Sequence, residues 1–314
     1  MARAAAALTP HVSVIIPTFN HAWLVGEAID SALNQTLGAV DVIVVDDGST
    51  DDTPAVLARY GGRIRAIRQP NRRISAARNA GLAVARGMYV AFLDADDVMA
   101  PTKLAEQAAV LERDPAMGWT YCDVVIETVA TGKRVAASER FGYRARQLDG
   151  WLFPELIRGN FIPVMAPLIR RSALDAAGAF DESLTVLEDW DLWLRLALIA
   201  EARYTPGVLA TYRVQPQGMS QDRSRMDRNR FRVLDNLCRT RPAALAGLGL
   251  AGRRIVADTH NWLGEEAYAR GDWPEALRRF AASLKSVPWQ RRAPMLLVQS
   301  LLPHGKRAPT NGSR

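Results

Sequence analysis

The sequence predicts an α/β protein in which helices cover both faces of a mostly parallel sheet, followed by an all-helical C-terminal region. Over the first hundred residues, short β-branched segments alternate with helical segments, a pattern typical of parallel sheets. Two of the predicted strands end in acidic clusters, and beyond about residue 220 only helical patterns remain. The 314 residues are 48% hydrophobic and 23% charged, which is enough for a packed core. At roughly 150 residues per domain, this length favours two domains.

Four strands and three helices are predicted in alternation along the N-terminal part. The first strand contains VSVII within residues 11–17, and the others cover residues 41–45, 64–67 and 89–93. The helices are expected over residues 25–35, from Thr53-Pro54 onward, and over residues 75–86. Residues 118–213 follow a mixed pattern with an amphipathic helix over residues 188–199. In parallel sheets, ligands bind beyond the carboxyl ends of the strands, where both acidic clusters lie.

We expect residues 1–220 to form one domain and residues 221–314 a helical region, joined by a polar linker around residues 215–228. Trp262-Leu263-Gly264, Ala276, Phe280 and Pro288 fit the spacing of one tetratricopeptide repeat, with Gly271-Asp272 at its turn. A simple helical hairpin packed on the first domain explains the same residues. Residues 289–302 combine Trp289 and arginines with a short apolar run, which fits either a membrane interface or burial against the hairpin. The last residues, HGKRAPTNGSR, favour disorder.

Composition excludes several classes of protein. No uncharged apolar run approaches the ~20 residues of a membrane-spanning helix, and MARAAAALTP lacks the apolar stretch of a secretory signal. Two cysteines, Cys122 and Cys238, form neither a disulfide framework nor a zinc site and suit a reducing compartment. The four histidines, His11, His21, His260 and His304, lack ligand or triad spacing and are interpreted as structural or surface residues. A cytoplasmic protein is therefore expected.

The formal net charge of +7 is unevenly distributed. Residues 213–314 contain 19 Lys and Arg against 8 Asp and Glu, whereas the rest of the chain contains 21 against 25. A basic block of this kind indicates contact with nucleic acid, anionic lipid or another acidic partner, unless it is only a solvated arginine-rich surface. We favour peripheral contact with the inner face of the membrane and expect no nucleic-acid partner.

The two acidic clusters suggest binding of a metal and a nucleotide. Asp94-Ala95-Asp96 follows the strand YVAFL, and two carboxylates there can hold Mg²⁺ or Mn²⁺ while leaving positions for water and phosphate. No His or Cys cluster accompanies them, which argues against zinc. Asp46-Asp47-Gly48-Ser49 follows DVIVV. Turn formation and helix capping explain part of this second cluster, but an acid there can also accept a hydrogen bond from a base or ribose.

The segment from Thr185 to Trp193 predicts the start of a helix and contains a candidate base. Thr185 and Glu188 have capping-box spacing, and Asp191 and Arg195 have the spacing of an i,i+4 ion pair on a polar stripe. Asp189 aligns with Leu192, Trp193 and Leu196 on the apolar face. An inward carboxylate there can act as a general base, or it can only favour the helix dipole. Trp190 and Trp193 are assigned to the core.

Taken together, VSVIIPTFN, VVDDGSTDDT, ISAARNAGLAVARGMYVAFLDADD and LEDWDLWLRLA resemble the family 2 glycosyltransferases of the GT-A fold, in that family's order and spacing over residues 12–220. The resemblance implies a nucleotide-diphospho-sugar donor, usually UDP-linked, a divalent metal (Mn²⁺ or Mg²⁺) and inversion at the anomeric carbon. It also implies roles for single residues: Pro17, Thr18 and Phe19 beside the nucleoside, Asp47 at the base, Arg78 near the nucleotide, Asp94 at the ribose or sugar, Asp96 at the metal and Asp189 as catalytic base. Two positions depart from the family: Arg73 stands where Gly is frequent, and Gln215 replaces the His of the Y-R-x-H segment.

The sequence therefore predicts an inverting glycosyltransferase of the GT-A fold with a C-terminal helical appendage. Its acceptor would be a glycan or a lipid-linked molecule in envelope or exopolysaccharide assembly. A non-catalytic scaffold that binds nucleotide-sugar and acts through its helical tail is the alternative, although such a protein is expected to lose Asp94, Asp96 or Asp189. A sugar nucleotidyltransferase would have a glycine-rich phosphate loop after the first strand, and a dehydrogenase would have G-x-G-x-x-G there; PTFNHAW has neither.

Overall fold

The computed structural model describes residues 11–140, 148–215 and 222–290. The chain divides near residue 222 into two compact units. The strands of the N-terminal unit are Val12–Thr18 (β1), Val40–Asp46 (β2), Arg65–Arg68 (β3), Tyr89–Phe92 (β4), Val98–Met99 (β5), Trp119–Thr128 (β6), Lys133–Ala136 (β7), Pro167–Arg170 (β8) and Ala202–Val214 (β9). Its helices are Val25–Leu33 (α1), Thr53–Ala58 (α2), Arg73–Val84 (α3), Lys103–Arg113 (α4), Ala137–Arg140 (α5), Phe153–Leu156 (α6), Arg171–Ala177 (α7) and Glu188–Ala197 (α8), with a short 3₁₀ turn at Gly61–Arg63.

One sheet contains all of these strands, in the order β3-β2-β1-β4-β8-β6-β9-β5, and β7 pairs with β6. The first four strands are parallel. β8 runs antiparallel to both β4 and β6, and β5 runs antiparallel to β9. The predicted α/β fold with a mostly parallel N-terminal sheet is confirmed, as are the four strands and three helices predicted before residue 94, with ends that differ by a few residues.

The central parallel strands β1 and β4 are buried on both faces of the sheet. Every residue of β1 is buried, as are those of β4, because helices pack against this half of the sheet. The packing of α3 is close: a Cβ atom at Gly81 would lie 2.5 Å from Cγ2 of Ile15. This close contact fixes the height of α3 above β1 and therefore the position of Arg78 in the same helix.

The start of α8 places its acidic residues among other side chains. The helix begins at Glu188, as expected, and Leu187 precedes it in a left-handed conformation (φ 62°). Oε1 of Glu188 pairs with Arg78, a contact that the sequence does not predict, and the capping box of Thr185 and Glu188 stays a prediction. Asp191 pairs with Arg195 as predicted, at 2.8 Å. However, the stripe is not solvated, because Glu188 and Asp191 are both buried.

Four helices form the described part of the C-terminal unit: Arg223–Thr240 (α9), Pro242–Gly247 (α10), Leu250–Ala269 (α11) and Trp273–Ser286 (α12). α11 and α12 form a hairpin in which a Cβ atom at Gly264 would lie 2.5 Å from the ring of Phe280. Gly271 adopts φ +79° at the turn, and Asp272 accepts a hydrogen bond from the backbone N–H of Glu275. The tetratricopeptide assignment and the domain limits remain predictions.

Among the described residues, no helix has the length and apolar character needed to cross a bilayer. Trp289 is exposed. The rest of the predicted interfacial segment, residues 291–302, and the end of the chain predicted as disordered lie outside the described residues.

Candidate functional site

The carboxyl ends of β1, β2 and β4 bring most of the predicted site residues to one edge of the sheet. Thr18 is level with Asp46 in the parallel register of β1 and β2, and Ile15 is level with Phe92 of β4. Residues 94–97 therefore continue from β4 beside Thr18. Pro17 and Thr18 are buried in the strand end, whereas Phe19 is 41% exposed.

The loops after β1 and β2 are bonded to each other. The side-chain oxygen of Asn20 accepts a hydrogen bond from the backbone N–H of Thr50 at 2.7 Å. The backbone N–H of Asn20 donates to Oγ of Ser49 at 2.9 Å. Gly48 adopts φ +83°, and a Cβ atom there would lie 2.9 Å from the backbone nitrogen of Asn71. Only glycine adopts this conformation without strain. The loops after β1 and β2 are thus held in one arrangement relative to each other.

The two acids at the end of β2 have different surroundings. Oδ1 of Asp46 accepts a hydrogen bond from the N–H of Ser49 at 2.8 Å, so this carboxylate shapes the turn. Oδ1 of Asp47 accepts hydrogen bonds from the side-chain amide of Gln69 (2.7 Å) and the backbone N–H of Arg72 (2.9 Å). Asp47 is therefore fixed by the segment that leads into α3.

Arg78 joins the acidic loop after β4 to the start of α8. Its side chain is 1% exposed; Nη2 donates to Oδ1 of Asp94 at 2.6 Å, and Nη1 donates to Oε1 of Glu188 at 2.5 Å. Burial lowers the pKa of Arg78, but the carboxylates of Asp94 and Glu188 outweigh burial and raise that pKa above its ordinary value. The resemblance places Arg78 near the nucleotide, whereas the structure shows both of its terminal nitrogens bonded to carboxylates.

Asp96 and Asp97 lie in the same loop, and one carboxylate oxygen of Asp97 has no partner. Among the described residues, no other residue donates a hydrogen bond to the Asp96 carboxylate, and burial together with Asp94 raises its pKa to about 6. Asp97 is fully buried: Oδ1 accepts from the backbone N–H of Arg213 at 2.7 Å, while Oδ2 has no partner. Burial and the neighbouring carboxylates raise the pKa of Asp97 well above its usual range.

Unpaired buried polar atoms accompany this loop. Thr18 Oγ1, His21 Nδ1 and Gln215 Nε2 are buried and have no hydrogen-bond partner within the described ranges. Of these, His21 is near enough to lower the pKa of Asp96. Gln215 comes directly after β9, two residues beyond Arg213, whose backbone N–H bonds Asp97. A buried polar group without a partner is costly. Their concentration beside Asp96 indicates an edge built for a polar ligand.

These residues fit a hard divalent cation that takes most of its ligands from elsewhere. No group of three or more metal-binding side chains exists in the part of the chain that the structure describes. The donor atoms at the loop are carboxylate oxygens, the type that Mg²⁺ and Mn²⁺ prefer. Asp96, with its carboxylate not bonded to another described residue, is the first candidate ligand, and a bound diphosphate and water would supply the others.

Asp189 is half-buried in the first turn of α8. Its Oδ2 accepts a hydrogen bond from the side-chain amide of Asn160 at 2.9 Å, and its Oδ1 accepts from the backbone N–H of Trp190 at 2.7 Å. Burial and the adjacent Glu188 raise the pKa of Asp189 to about 7, although Arg78 opposes the increase. A carboxylate with a pKa near neutrality has the properties of a general base at physiological pH.

The tryptophans of α8 belong to the core, as predicted. The indole N–H of Trp190 donates to the carbonyl of Leu156 at 2.7 Å, and that of Trp193 donates to the carbonyl of Ile162 at 3.0 Å. Both rings are buried. They attach the segment 156–162, which carries Asn160, to the helix that carries Asp189.

Sequence patterns alone do not identify four of the groups near the site. Capping-box spacing assigns Glu188 to the start of a helix, His21 is interpreted as structural, and no pattern points to Asn160 or gives Asp97 a role. The one sequence signal among them is the adjacent pair Glu188-Asp189 in the E-D segment. The contact of Glu188 with Arg78 joins residues 110 positions apart, and no periodicity reports such a distance.

Comparisons with known proteins identify relatives of this chain. The profile of glycosyl transferase family 2 matches residues 13–173. The chain is similar to the succinoglycan biosynthesis protein ExoU of Rhizobium meliloti (strain 1021), with 33% identity over 213 residues that cover 63% of this chain and 60% of ExoU. It spans less than two thirds of the length of the curated relatives that it matches, 64% for the first of them.

Two solved structures show the same fold at low identity. TarS 1-349 of S. aureus in complex with UDP-GlcNAc superposes with a TM-score of 0.61 at 18% identity, over 92% of this chain and 84% of that one. The mannosyltransferase PcManGT of Pyrobaculum calidifontis, in complex with GDP-Man and Mn²⁺, gives a TM-score of 0.59 at 22% identity, over 94% and 85% of the two chains.

Proposed function

Because the chain belongs to glycosyl transferase family 2, we propose that it transfers a sugar from a UDP-linked donor to a hydroxyl group of a glycan or lipid-linked acceptor, with inversion. The observation that carries the proposal is the pair of hydrogen bonds from buried Arg78 to Asp94 and Glu188. Through Arg78, the acidic loop suited to the donor diphosphate and the helix that bears Asp189 form one connected site.

The donor would lie along the edge formed by β1, β2 and β4. Phe19 offers an exposed apolar face beside the nucleoside, and Asp47 would accept a hydrogen bond from the base. Asp94 keeps one carboxylate oxygen for the ribose or sugar, since Arg78 holds the other. The TarS complex with UDP-GlcNAc, which has the same fold, supports a UDP-linked donor.

A divalent cation held by Asp96 would neutralise charge on the departing diphosphate. The PcManGT complex with Mn²⁺ supports this part of the proposal. Asp94 and Asp96 carry negative charge toward a diphosphate that is itself negative, so a cation between them is needed for the two to approach each other. Arg78 is already paired with two carboxylates, Asp94 and Glu188, so its single positive charge is balanced within the site.

The transfer step places Asp189 on the acceptor side. The acceptor hydroxyl oxygen attacks the anomeric carbon and forms the new C–O bond, while its proton passes to the Asp189 carboxylate. The bond between the anomeric carbon and the diphosphate oxygen breaks, and UDP leaves with the electron pair. Attack from the face opposite the leaving group inverts the anomeric configuration.

The acceptor class follows from similarity and remains the least specific part of the proposal. ExoU is named for succinoglycan biosynthesis, which supports a polysaccharide or its lipid-linked precursor as acceptor. The scaffold alternative is disfavoured because Asp94, Asp96 and Asp189 are all retained and the buried polar atoms beside Asp96 lack partners within the described residues.

A screen of nucleotides tests the proposal directly. UDP with Mn²⁺ should raise the melting temperature of the full chain, because a ligand at 100 times its Kd stabilises the folded state by about 2.7 kcal/mol. UMP, which lacks the second phosphate, is the matched control and should stabilise less. Retention of bound UDP-sugars and their slow hydrolysis would identify the sugar. If no nucleoside diphosphate stabilises the protein in the presence of Mn²⁺ or Mg²⁺, the proposed function is wrong.

A further inference from the structure

The hydrogen bond between Asn160 and Asp189 has a defined direction. Oδ1 of Asn160 accepts a hydrogen bond from the backbone N–H of Ile162 at 3.2 Å, which turns the amide nitrogen toward Asp189. Nδ2 then donates to Oδ2 of Asp189 at 2.9 Å. Because a backbone N–H can only donate, the reverse orientation of the amide would leave two donors facing each other.

The segment that carries Asn160 is fixed to the same helix as Asp189. The indole N–H of Trp193 donates to the carbonyl of Ile162, and that of Trp190 donates to the carbonyl of Leu156. Both indoles are buried in α8. One of these hydrogen bonds lies before Asn160 in the chain and the other lies after it. Together they fix the position of Asn160 relative to Asp189.

We propose that Asn160 is a positioning residue for the transfer reaction: it fixes the rotation of the Asp189 carboxylate and leaves one lone pair of Oδ2 free to face the acceptor hydroxyl. The backbone N–H of Trp190 holds Oδ1, so the two hydrogen bonds together determine the plane of the carboxylate. A base held in this way meets the acceptor proton without a search over side-chain rotamers. The inference rests on the proposed function of Asp189 as the base.

The same hydrogen bond favours the ionised form of Asp189, since an amide N–H only donates. Other groups also act on this carboxylate: burial and the negative charge of Glu188 raise its pKa, and the positive charge of Arg78 lowers it. The amide of Asn160 and the N–H of Trp190 lower it as well. Loss of the amide removes one of the groups that keep the base ionised near neutral pH.

The test is the pH dependence of transfer in a graded series at position 160. We expect Asn160→Ala to move the acid limb of the kcat profile upward by about one pH unit, with most of the turnover recovered at high pH. Asn160→Asp, which places a second carboxylate against Asp189, should move it further. UDP affinity should stay within about twofold in both variants, because Asn160 bonds to Asp189 and not to the residues proposed to bind the donor.

Asn79→Ala is the matched control. The Asn79 side chain likewise joins two segments of the same unit, α3 and the segment at Phe180, through the carbonyl and N–H of Phe180, and it does not bond Asp189. It should leave the acid limb in place whatever its effect on stability. If Asn160→Ala leaves the limb unshifted while Asp189→Asn abolishes transfer, the role of Asn160 is refuted and the base assignment stands. If Asp189→Asn retains transfer, the proposed function of Asp189 is itself wrong.

Discussion

At the scale of single residues, the acids of the site differ in what holds them. Arg78 binds Asp94, the backbone of Arg213 binds Asp97, and Asn160 binds Asp189. Asp96 alone of these four has no such bond from another described residue, and burial together with Asp94 raises its pKa. A carboxylate in this state is stabilised by a cation, which makes Asp96 the residue whose loss should change metal dependence most.

Replacement of Asp96 by Ala should remove the metal dependence of UDP binding. In the unaltered chain we expect chelation to weaken UDP binding by at least about tenfold, since the cation screens the diphosphate from the acidic loop. In Asp96→Ala, calorimetry should give the same weak affinity with and without Mn²⁺. Asp175→Ala, which removes an exposed acid paired with Arg171, should behave like the unaltered chain. Equal UDP affinity with and without metal in the unaltered chain would contradict the assignment.

Replacement of Asp189 by Asn should lower transfer by roughly 10²–10⁴-fold and spare UDP binding. Asp191→Asn is the control: Asp191 is buried but pairs with Arg195 at 2.8 Å, so its loss should reduce stability more than turnover. Because the pKa of Asp189 is raised to about 7, the base is protonated at lower pH. Turnover of the unaltered chain should therefore fall as the pH decreases through about 7. Similar losses of turnover in the two variants would refute the assignment of the base.

The acids at the strand ends could be predicted because each follows directly on an apolar strand segment, a change of residue type that is visible in the sequence. Asp47, Asp94 and Asp96 are found in that way, and the structure brings them to one edge. The partners of Arg78 could not be predicted. Its bond to Glu188 depends on how α3 and α8 meet in three dimensions, and the capping-box spacing of Thr185 and Glu188 gives no sign of this contact.

At the scale of elements, predictability follows the regularity of the pattern. The parallel half of the sheet alternates strand and helix, and its members were predicted from β-branched runs and helical periodicity. The second half mixes antiparallel pairing with the parallel pair β6 and β9, whose register shifts between Tyr121 and Val124. An irregularity of this kind interrupts the alternation on which strand prediction depends, so residues 118–213 gave only one clear helix.

Arg78 joins α3 to the loop after β4 and to the start of α8. These contacts should contribute measurably to the free energy of unfolding. Arg78→Met should lower the free energy of unfolding by about 3–5 kcal/mol, because it leaves Glu188 buried without its cation. Adding Glu188→Gln should restore part of that loss. Urea unfolding of both variants tests this, with Arg158→Met, an exposed side chain paired with Glu155, as a control expected to cost about 1 kcal/mol or less. A double variant less stable than Arg78→Met would show that the two residues do not act as a pair.

At the scale of the whole molecule, charge is divided between the two units. The described helices of the C-terminal unit expose many arginines, among them Arg228, Arg232 and Arg239 on the face of α9 opposite buried Val233. The unit that holds the candidate donor site is mildly acidic by sequence. An acidic catalytic unit and a basic helical unit fit an enzyme whose acceptor lies at an anionic surface, which extends the proposed function to a location.

Docking of the basic region on the inner membrane surface is testable with liposomes. Each basic group near an anionic membrane is worth about 1 kcal/mol, and insertion of apolar side chains such as exposed Trp289 adds to it. We expect the full chain to co-sediment with anionic liposomes at low salt and to be released as salt screens the charge. It should not sediment with neutral liposomes.

Deletion of residues 289–314 should reduce the sedimented fraction and leave UDP affinity unchanged, because the candidate donor residues all precede residue 222. A chain with Arg228, Arg232 and Arg239 changed to Glu separates the two contributions: it keeps the terminal segment and loses charge on α9. If the deletion and the charge-reversed chain both bind as the full chain does, the membrane contact lies elsewhere. If the full chain stays in the supernatant at low salt, the basic region does not dock on anionic lipid, and the acceptor need not lie at a membrane.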